Sequence, residues 1–225
     1  MAEGRVQVNG VAATPTTPVG DADAVTVNGK TVAIETRGVP RLFMLNKPLD
    51  ILVTRDDPQG RPTIYDLPAL ASSQYKKALP RLMYVGRLDV NSEGLLLLSD
   101  DGVFAQKLMS PETALARVYR VRVHGRLSER DVMSIRRGVT VNGMRYRKAD
   151  IEQEEDLGGR TNAWYRVTLY EGKNREIRKL MEHFDCVVNR LIRVQYGPFK
   201  LDELERGKLR EIAPAQVEAF MGAIR

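Results

Sequence analysis

Residues 86–102 read Gly-Arg-Leu-Asp-Val-Asn-Ser-Glu-Gly-Leu-Leu-Leu-Leu-Ser-Asp-Asp-Gly. The four consecutive leucines at 95–98 lie between a glycine and a polar turn, which predicts a short strand buried on both faces. The loop directly before this strand carries Arg87 and Asp89. A loop anchored to a buried strand holds its side chains in fixed positions, as a catalytic group requires. Asp89 is therefore a candidate site residue, although an aspartate between glycines also commonly does no more than cap a turn.

Length and composition fit an ordinary globular protein. The 225 residues suffice for one large domain, or for a small domain and a medium one. No apolar run has the length of a membrane span, and the N-terminus lacks the apolar core of a signal peptide. Cys186 is the single cysteine and cannot form an internal disulfide, so we expect a cytoplasmic protein with Cys186 buried as a small apolar residue.

The charge balance favours a polyanionic partner. Lysine and arginine exceed aspartate and glutamate by six, and the pI is about 9.5. The arginines cluster at positions 117, 120, 122 and 126, and again at 175, 178, 190 and 193. Two histidines and one cysteine argue against a transition-metal site. The glycine-rich motifs of nucleotide hydrolases and dinucleotide-binding enzymes, and the nucleophile motif of serine hydrolases, do not occur in the sequence.

The local patterns predict an α+β fold with a largely antiparallel sheet. Val-Asn-Gly units end at residues 10, 29 and 143, and each predicts a hairpin turn. Further strands are predicted at 42–45, 117–124, 164–170 and 187–194. Helices are predicted at 101–109, from Ser128 to about 137, from about 175 to 184, and from Pro214. Residues 55–68 and 152–160 are expected to be loop and exposed turn.

Two of these elements place candidate functional side chains. Strict alternation in 117–124 puts Tyr119 on the largely apolar face, and Arg120 and Arg122 on the other. In the helix, Ile177 belongs to an apolar stripe and Arg178 lies at its border, where an arginine stem can be buried while its head reaches a cleft. Alone, these patterns equally fit a half-buried strand tyrosine and a solvated basic face.

Four motifs in order resemble the RsuA/RluB family of bacterial ribosomal RNA pseudouridine synthases. The first is Gly-Arg-Leu-Asp at 86–89 with Ser-Glu-Gly-Leu at 92–95. The others are Arg-Val-Tyr-Arg-Val at 117–121, Glu-Gly-Lys-Asn-Arg-Glu-Ile-Arg-Lys-Leu at 171–180, and Arg-Leu-Ile-Arg-Val at 190–194 with Gly-Pro at 197–198. The resemblance covers residues 40 to 212.

The resemblance implies a fold in two parts. Residues 38–225 would form the pseudouridine synthase catalytic domain, a bent and mainly antiparallel sheet in two halves around a cleft. Residues 1–37 resemble the second half of an S4 RNA-binding domain. The two helices that come first in such a domain are missing here, so we expect a partial S4-like segment, through truncation or an internal methionine taken as the start.

The resemblance also implies the chemistry. Asp89 would act on the ribose C1′ as nucleophile or as general base, with the target uridine flipped out of its stack. Arg178, positioned by Ile177, would pair with Asp89. Tyr119 would stack on the uracil, and Arg87 would fill the gap left by the flipped base or bind the adjacent phosphate. Backbone contacts are expected from Lys47, Lys173, Arg175, Lys179, Arg190 and Arg193. No cofactor or metal is required.

The expected substrate is a structured stem-loop of ribosomal RNA, either free or inside an assembling subunit, and the enzyme is expected to be a monomer. The stretch Asn-Ala-Trp-Tyr at 162–165 favours the 23S members of the family over the 16S members. Two other classes stay open at this point. One is an idle RNA-binding ribosome-assembly module on the same scaffold, and the other is an acid–base isomerase of small molecules.

Overall fold

The structure is a computed structural model. It describes residues 4–14, 17–20, 22–33, 38–71, 82–154 and 161–224. Residues up to Val39 belong to one compact unit and those from Pro40 onward to a second, larger one.

The smaller unit is a four-stranded antiparallel sheet in the order β2-β1-β3-β4. Its strands are β1 (Val6–Val8), β2 (Val11–Ala12), β3 (Val25–Val27) and β4 (Lys30–Val32). The turns between paired strands fall on Asn9-Gly10 and Asn28-Gly29, all four with positive φ. Asparagine and glycine are the residues that adopt this conformation most readily, so both predicted hairpins are confirmed. The S4-like assignment of this segment stays a prediction.

The larger unit is organised around a nine-stranded sheet within the described residues. Its backbone order is β11-β12-β8-β13-β7-β5-β15, with β14 pairing β13 and β6 pairing β7. A separate hairpin is formed by β9 and β10. The strands are β5 (Leu42–Lys47), β6 (Met83–Val85), β7 (Glu93–Ser99), β8 (Arg117–His124), β9 (Thr140–Val141), β10 (Met144–Arg145), β11 (Asp150–Gln153), β12 (Asn162–Leu169), β13 (Val187–Tyr196), β14 (Phe199–Lys200) and β15 (Leu209–Glu211).

The larger unit contains five helices within the described residues. They are α1 (Pro68–Ala71), α2 (Gly102–Met109), α3 (Glu129–Arg137), α4 (Glu176–His183) and α5 (Pro214–Ala223), with 3-10 turns at Ile64–Asp66 and Pro111–Thr113. Asp101 caps α2 by accepting from the N–H of Phe104 at 2.7 Å. Ser128 and Asp131 form a reciprocal capping box at the start of α3.

The sheet carries a separate apolar cluster on each face. Along β7, Leu96 and Leu98 belong to one cluster, while Leu95 and Leu97 belong to the other. All seven residues of β7 are buried, which confirms the strand predicted from the leucine run. The first cluster also packs α4 through Ile177 and Met181, and the second packs α2 and α5. We call these two sides of the sheet the α4 face and the α5 face.

The predicted α+β class is confirmed, and most strand pairs are antiparallel, although β7 and β13 run parallel. The predicted exposed turn at 152–160 is wrong at its start, because Glu152 and Gln153 belong to the edge strand β11, which pairs with β12. Residues 155–160 lie outside the described part of the chain. The predicted burial of Cys186 is confirmed.

Candidate active site

The loop that carries Asp89 has a tightly fixed backbone. Each carbonyl oxygen from residue 89 to residue 92 accepts a hydrogen bond. The Asp89 carbonyl accepts from the N–H of Ser92 at 3.0 Å, and the Val90 carbonyl accepts from the N–H of Asp50 at 2.9 Å. The Asn91 carbonyl accepts from the Nη2 of Arg178 and the Ser92 carbonyl from the Nζ of Lys47, both at 2.8 Å. Three of these donors, on Lys47, Asp50 and Arg178, come from other segments of the chain, so the loop position depends on the assembled fold.

The end of this loop is fixed to the sheet through Gly94. Gly94 has a φ of +103° and pairs in parallel register with Arg193 of β13. A Cβ at this position would lie 2.3 Å from the Arg193 carbonyl oxygen, so only glycine allows the strands to approach this closely. Arg193 is itself buried and donates from Nε to the Leu95 carbonyl at 2.7 Å.

Lys47 lies beneath the loop rather than on the protein surface. Its side chain is fully buried at the end of β5, and Nζ donates to the carbonyls of Pro48 and Ser92 at 2.9 and 2.8 Å. Burial lowers the pKa of Lys47 to about 8, although the nearby carboxylates of Asp50 and Asp89 act in the opposite direction. The prediction that Lys47 and Arg193 contact the RNA backbone is therefore corrected, because both side chains are enclosed by protein.

Arg178 approaches the Asp89 carboxylate from α4. The Nε of Arg178 lies 3.8 Å from the Oδ2 of Asp89, while Nη1 donates to the Val188 carbonyl at 3.2 Å and Nη2 donates to the Asn91 carbonyl at 2.8 Å. The side chain of Arg178 is 12% exposed and that of Asp89 is 32% exposed. Burial and the charge of Arg175 lower the pKa of Arg178, and Asp89 acts against both. The structure thus brings together the carboxylate and the guanidinium that the resemblance paired.

Arg175 is a second cation on the same carboxylate. Its Nη1 lies 3.5 Å from the Oδ2 of Asp89, and its side chain is 45% exposed. Arg175 has a φ of +51° at the N-terminal end of α4, a conformation that is rare outside glycine and asparagine. Arg175 was predicted to contact the RNA backbone. Its spacing of three from Arg178 was the signal that both arginines lie on one side of the helix start.

Tyr119 lies on the same side of the sheet as these groups. Its ring belongs to the cluster of the α4 face, which also contains Leu88 and Ile177, the residues directly before Asp89 and Arg178. Tyr119 is 9% exposed and pairs across the sheet with Val167 and Arg193. The predicted alternation of β8 is observed, since Val121 and Val123 are buried while Arg120 and Arg122 are not.

The other predicted RNA contacts have mixed surroundings. Arg87 is exposed and Lys179 is half-buried. Two of the three N–H donors of the Lys173 ammonium are used within the protein, since Nζ donates to the Glu171 carboxylate at 2.6 Å and to the Arg145 carbonyl at 2.7 Å. Arg190 is half-buried, and its Nε donates to Glu93 at 2.6 Å.

A buried carboxylate pair lies at the start of α4. Glu176 is buried, its Oε2 accepts from the N–H of Lys173 at 3.1 Å, and its Oε1 has no hydrogen-bond partner in the described part of the chain. Burial, followed by the charge of Glu171, raises the pKa of Glu176 to about 7. Burial acts in the same direction on Glu171, but hydrogen bonds from Lys173 and from the N–H of Arg147 outweigh it and lower the pKa of that carboxyl.

Sequence reasoning missed Glu93 and Arg206. The Glu93 side chain is 3% exposed and binds both Arg190 and Arg206, whose Nη2 lies 3.0 Å from Oε2. The available signal was a glutamate directly before a fully apolar strand, since a buried charge requires a partner.

Within the described ranges, no helix combines the length and the apolar composition needed to cross a bilayer. The same residues contain no group of three or more histidine, cysteine, aspartate or glutamate side chains arranged to hold a metal ion.

Comparison with known proteins identifies the family. Residues 41–183 match the sequence model described as RNA pseudouridylate synthase. The chain belongs to the RNA pseudouridylate synthase family. The matched segment contains the Asp89 loop, β8 and α4. The resemblance to the RsuA/RluB branch and the expected pseudouridine synthase fold are both confirmed.

Individual relatives agree with this assignment. The ribosomal large subunit pseudouridine synthase B of Pseudomonas aeruginosa is 40% identical over 222 residues, which cover 97% of this chain and 55% of that protein. An uncharacterized RNA pseudouridine synthase of Rickettsia felis is 37% identical over 211 residues, 93% of this chain and 86% of that one. A crystal structure of a pseudouridylate synthase matches with a TM-score of 0.68 at 25% identity, over 96% of this chain and 89% of the other. The chain thus spans about half the length of the Pseudomonas relative.

Proposed function

We propose that this protein converts a specific uridine of 23S ribosomal RNA to pseudouridine. The observation that carries the proposal is the Asp89 carboxylate, which projects from a loop whose carbonyls at residues 89–92 are all hydrogen-bonded and lies within 4 Å of two arginines. Family membership supports the reaction. The 23S assignment is supported by the Pseudomonas relative, whose name assigns it to the large ribosomal subunit.

The reaction needs an ionised carboxylate at the anomeric carbon. The bond from the ribose C1′ to N1 of uracil breaks, the base rotates, and C5 is joined to C1′ with no atom gained or lost. Asp89 either attacks C1′ as a nucleophile or removes the 2′ proton as a general base. The side chain of Asp89 is one-third exposed, so an RNA sugar can reach it. Arg178 and Arg175 lie 3.8 and 3.5 Å from the Oδ2 of Asp89, so two cations flank the carboxylate that either route uses.

Tyr119 is proposed to receive the flipped uracil. Extruding a base costs a few kcal/mol, and stacking it on an aromatic ring returns about 1–3 kcal/mol. The position of Tyr119 in the same apolar cluster as Leu88 and Ile177 supports this role, because these two residues border Asp89 and Arg178.

The proposal is tested by mapping pseudouridine in unmodified 16S and 23S transcripts after incubation with the wild-type protein and with Asp89→Asn. We expect one new site in 23S RNA with the wild type and none with the variant. The same treatment of assembling large subunits distinguishes free RNA from a ribosomal particle as substrate. A site found only in 16S RNA would move the substrate to the small subunit. Equal product with both proteins would refute the role of Asp89.

A further inference from the structure

On the α5 face, the strands β8, β12 and β13 carry basic and aromatic side chains instead of an apolar layer. Two rows of paired residues cross these strands. Trp164, Arg122 and Arg190 form one row, and Arg166, Arg120 and Ile192 form the other. These residues alternate with those that face the apolar cluster of Tyr119, so they lie on the opposite side of the sheet from the candidate active site.

Two glutamates each hold a pair of these arginines. Glu154 lies 2.7 Å from Arg120 and 3.3 Å from Arg166. Glu93 lies 2.6 Å from Arg190 and 3.0 Å from Arg206. Both carboxylates are far less exposed than the arginines they bind. A carboxylate beneath two guanidinium groups keeps like charges close together in fixed orientations, and leaves their remaining N–H donors free to bind another anion.

The surface between the two pairs completes this arrangement. Arg122 is half-buried, and no hydrogen bond or ion pair joins its guanidinium to another residue in the described part of the chain. The guanidinium of Arg120 lies 4.8 Å from the centre of the Trp164 ring. We call the surface formed by Arg120, Arg122, Trp164, Arg166, Arg190 and Arg206 the arginine face. Glu93 and Glu154 bind four of its five arginines, and Arg122 is the fifth.

We propose that the arginine face is a second RNA-binding surface, which grips the phosphate backbone of a segment away from the target uridine. Guanidinium groups in a fixed plane suit phosphate oxygens, and the partly exposed ring of Trp164 beside them suits stacking of an unpaired base. An acidic protein segment would satisfy the charge but would leave the tryptophan without a function. This inference rests on the proposed function in so far as the RNA is ribosomal.

The test measures binding, independently of product formation. A labelled 23S transcript is titrated with the wild type, with Arg122→Glu, and with Arg130→Glu as a control. Arg130 is exposed on α3, and its replacement changes the net charge by the same amount. We expect Arg122→Glu to weaken binding about tenfold and to reduce the slope of log affinity against log salt by roughly one phosphate contact. Arg130→Glu should stay within about twofold of the wild type.

A second pair of variants tests the aromatic part. Trp164→Leu should weaken binding of the 23S transcript several-fold, and Trp164→Phe should restore most of the affinity, since stacking requires a ring and not an indole N–H. Thermal unfolding of each variant controls for a loss of fold. Equal binding by Arg122→Glu and Arg130→Glu, or by Trp164→Leu and the wild type, would overturn the proposal. If the wild-type protein forms no pseudouridine while these binding differences remain, the proposed function alone is refuted.

Discussion

The Nε of Arg178 lies 3.8 Å from the Oδ2 of Asp89, and its other two nitrogens are bound to backbone carbonyls. The carbonyls of Asn91 in the Asp89 loop and of Val188 in β13 therefore fix the guanidinium without help from Asp89. The Nε atom is buried and has no hydrogen-bond partner among the described residues. The cation is preorganised beside the carboxylate, and it needs no rearrangement when charge develops at the sugar.

Arg178→Lys is expected to lower the single-turnover rate of pseudouridine formation about 100-fold or more. A lysine cannot reach both carbonyls and Asp89 at once, because it has one nitrogen in place of a planar fork. Arg175→Lys is the matched comparison, since Arg175 contacts the same oxygen from an exposed position. We expect it to lose less than tenfold. Turnover of Arg178→Lys within threefold of the wild type would rule out this pairing.

Tyr119→Phe is expected to keep RNA affinity and to slow product formation. The ring that stacks on the uracil remains, whereas the hydroxyl is lost, and we propose that this hydroxyl takes the C5 proton after C5 is joined to C1′. The two effects are separated by equilibrium binding of an unmodified transcript and by single-turnover kinetics at saturating enzyme. Weaker binding with an unchanged rate would contradict this division of roles.

Gly94→Ala is expected to destabilise the protein by about 3–5 kcal/mol. The new Cβ would lie 2.3 Å from the Arg193 carbonyl oxygen in a conformation with positive φ, so either β13 moves away or the loop strains. Gly172→Ala is the control, because its Cβ would meet nothing within 4 Å and its φ is not positive. Urea unfolding measures both. Similar stability of the two variants would show that the parallel pairing of β7 and β13 tolerates a side chain.

Local patterns were sufficient for several of the elements. The leucine run of β7, the alternation of β8 and the helix that begins after Ser128 each depend on residues that are near in sequence, and each was predicted correctly, whereas the edge strand β11 was not. The family motifs then allowed Asp89 to be matched with Arg178, a residue far away along the chain. Neither periodicity nor capping could have paired them.

Burial of charged residues was not predictable in the same way. Lys47 follows a buried strand and precedes a proline, a context that suggests a surface lysine, yet the Asp89 loop folds over it from more than forty residues away. Arg193 is enclosed because β13 runs between β7 and β8, and that order of strands is a property of the whole sheet. The two sides of the sheet also separate Arg190 from Tyr119, although both belong to family motifs.

The last prediction concerns pH and Glu176. The pKa of Glu176 is raised to about 7 in the folded protein, compared with an ordinary value of 4.5. Below about pH 4.5 this carboxyl is protonated in both states. Between pH 4.5 and 7 the unfolded chain gives up the proton that the folded protein keeps, so folding stability falls as pH rises. Glu171 has the opposite shift, and its contribution is lost as pH falls, which places it outside a measurement above pH 5.

Glu176→Gln removes this titration while keeping the shape of the side chain. We expect the stability of Glu176→Gln relative to the wild type to increase between pH 5 and 8 by up to about 3 kcal/mol, measured by urea unfolding at each pH. Glu182→Gln, an exposed position on the same helix, is the control and should show no such trend. A difference between Glu176→Gln and the wild type that stays constant over this range would mean that Glu176 is already ionised at pH 5, because Lys173 then outweighs burial and the charge of Glu171.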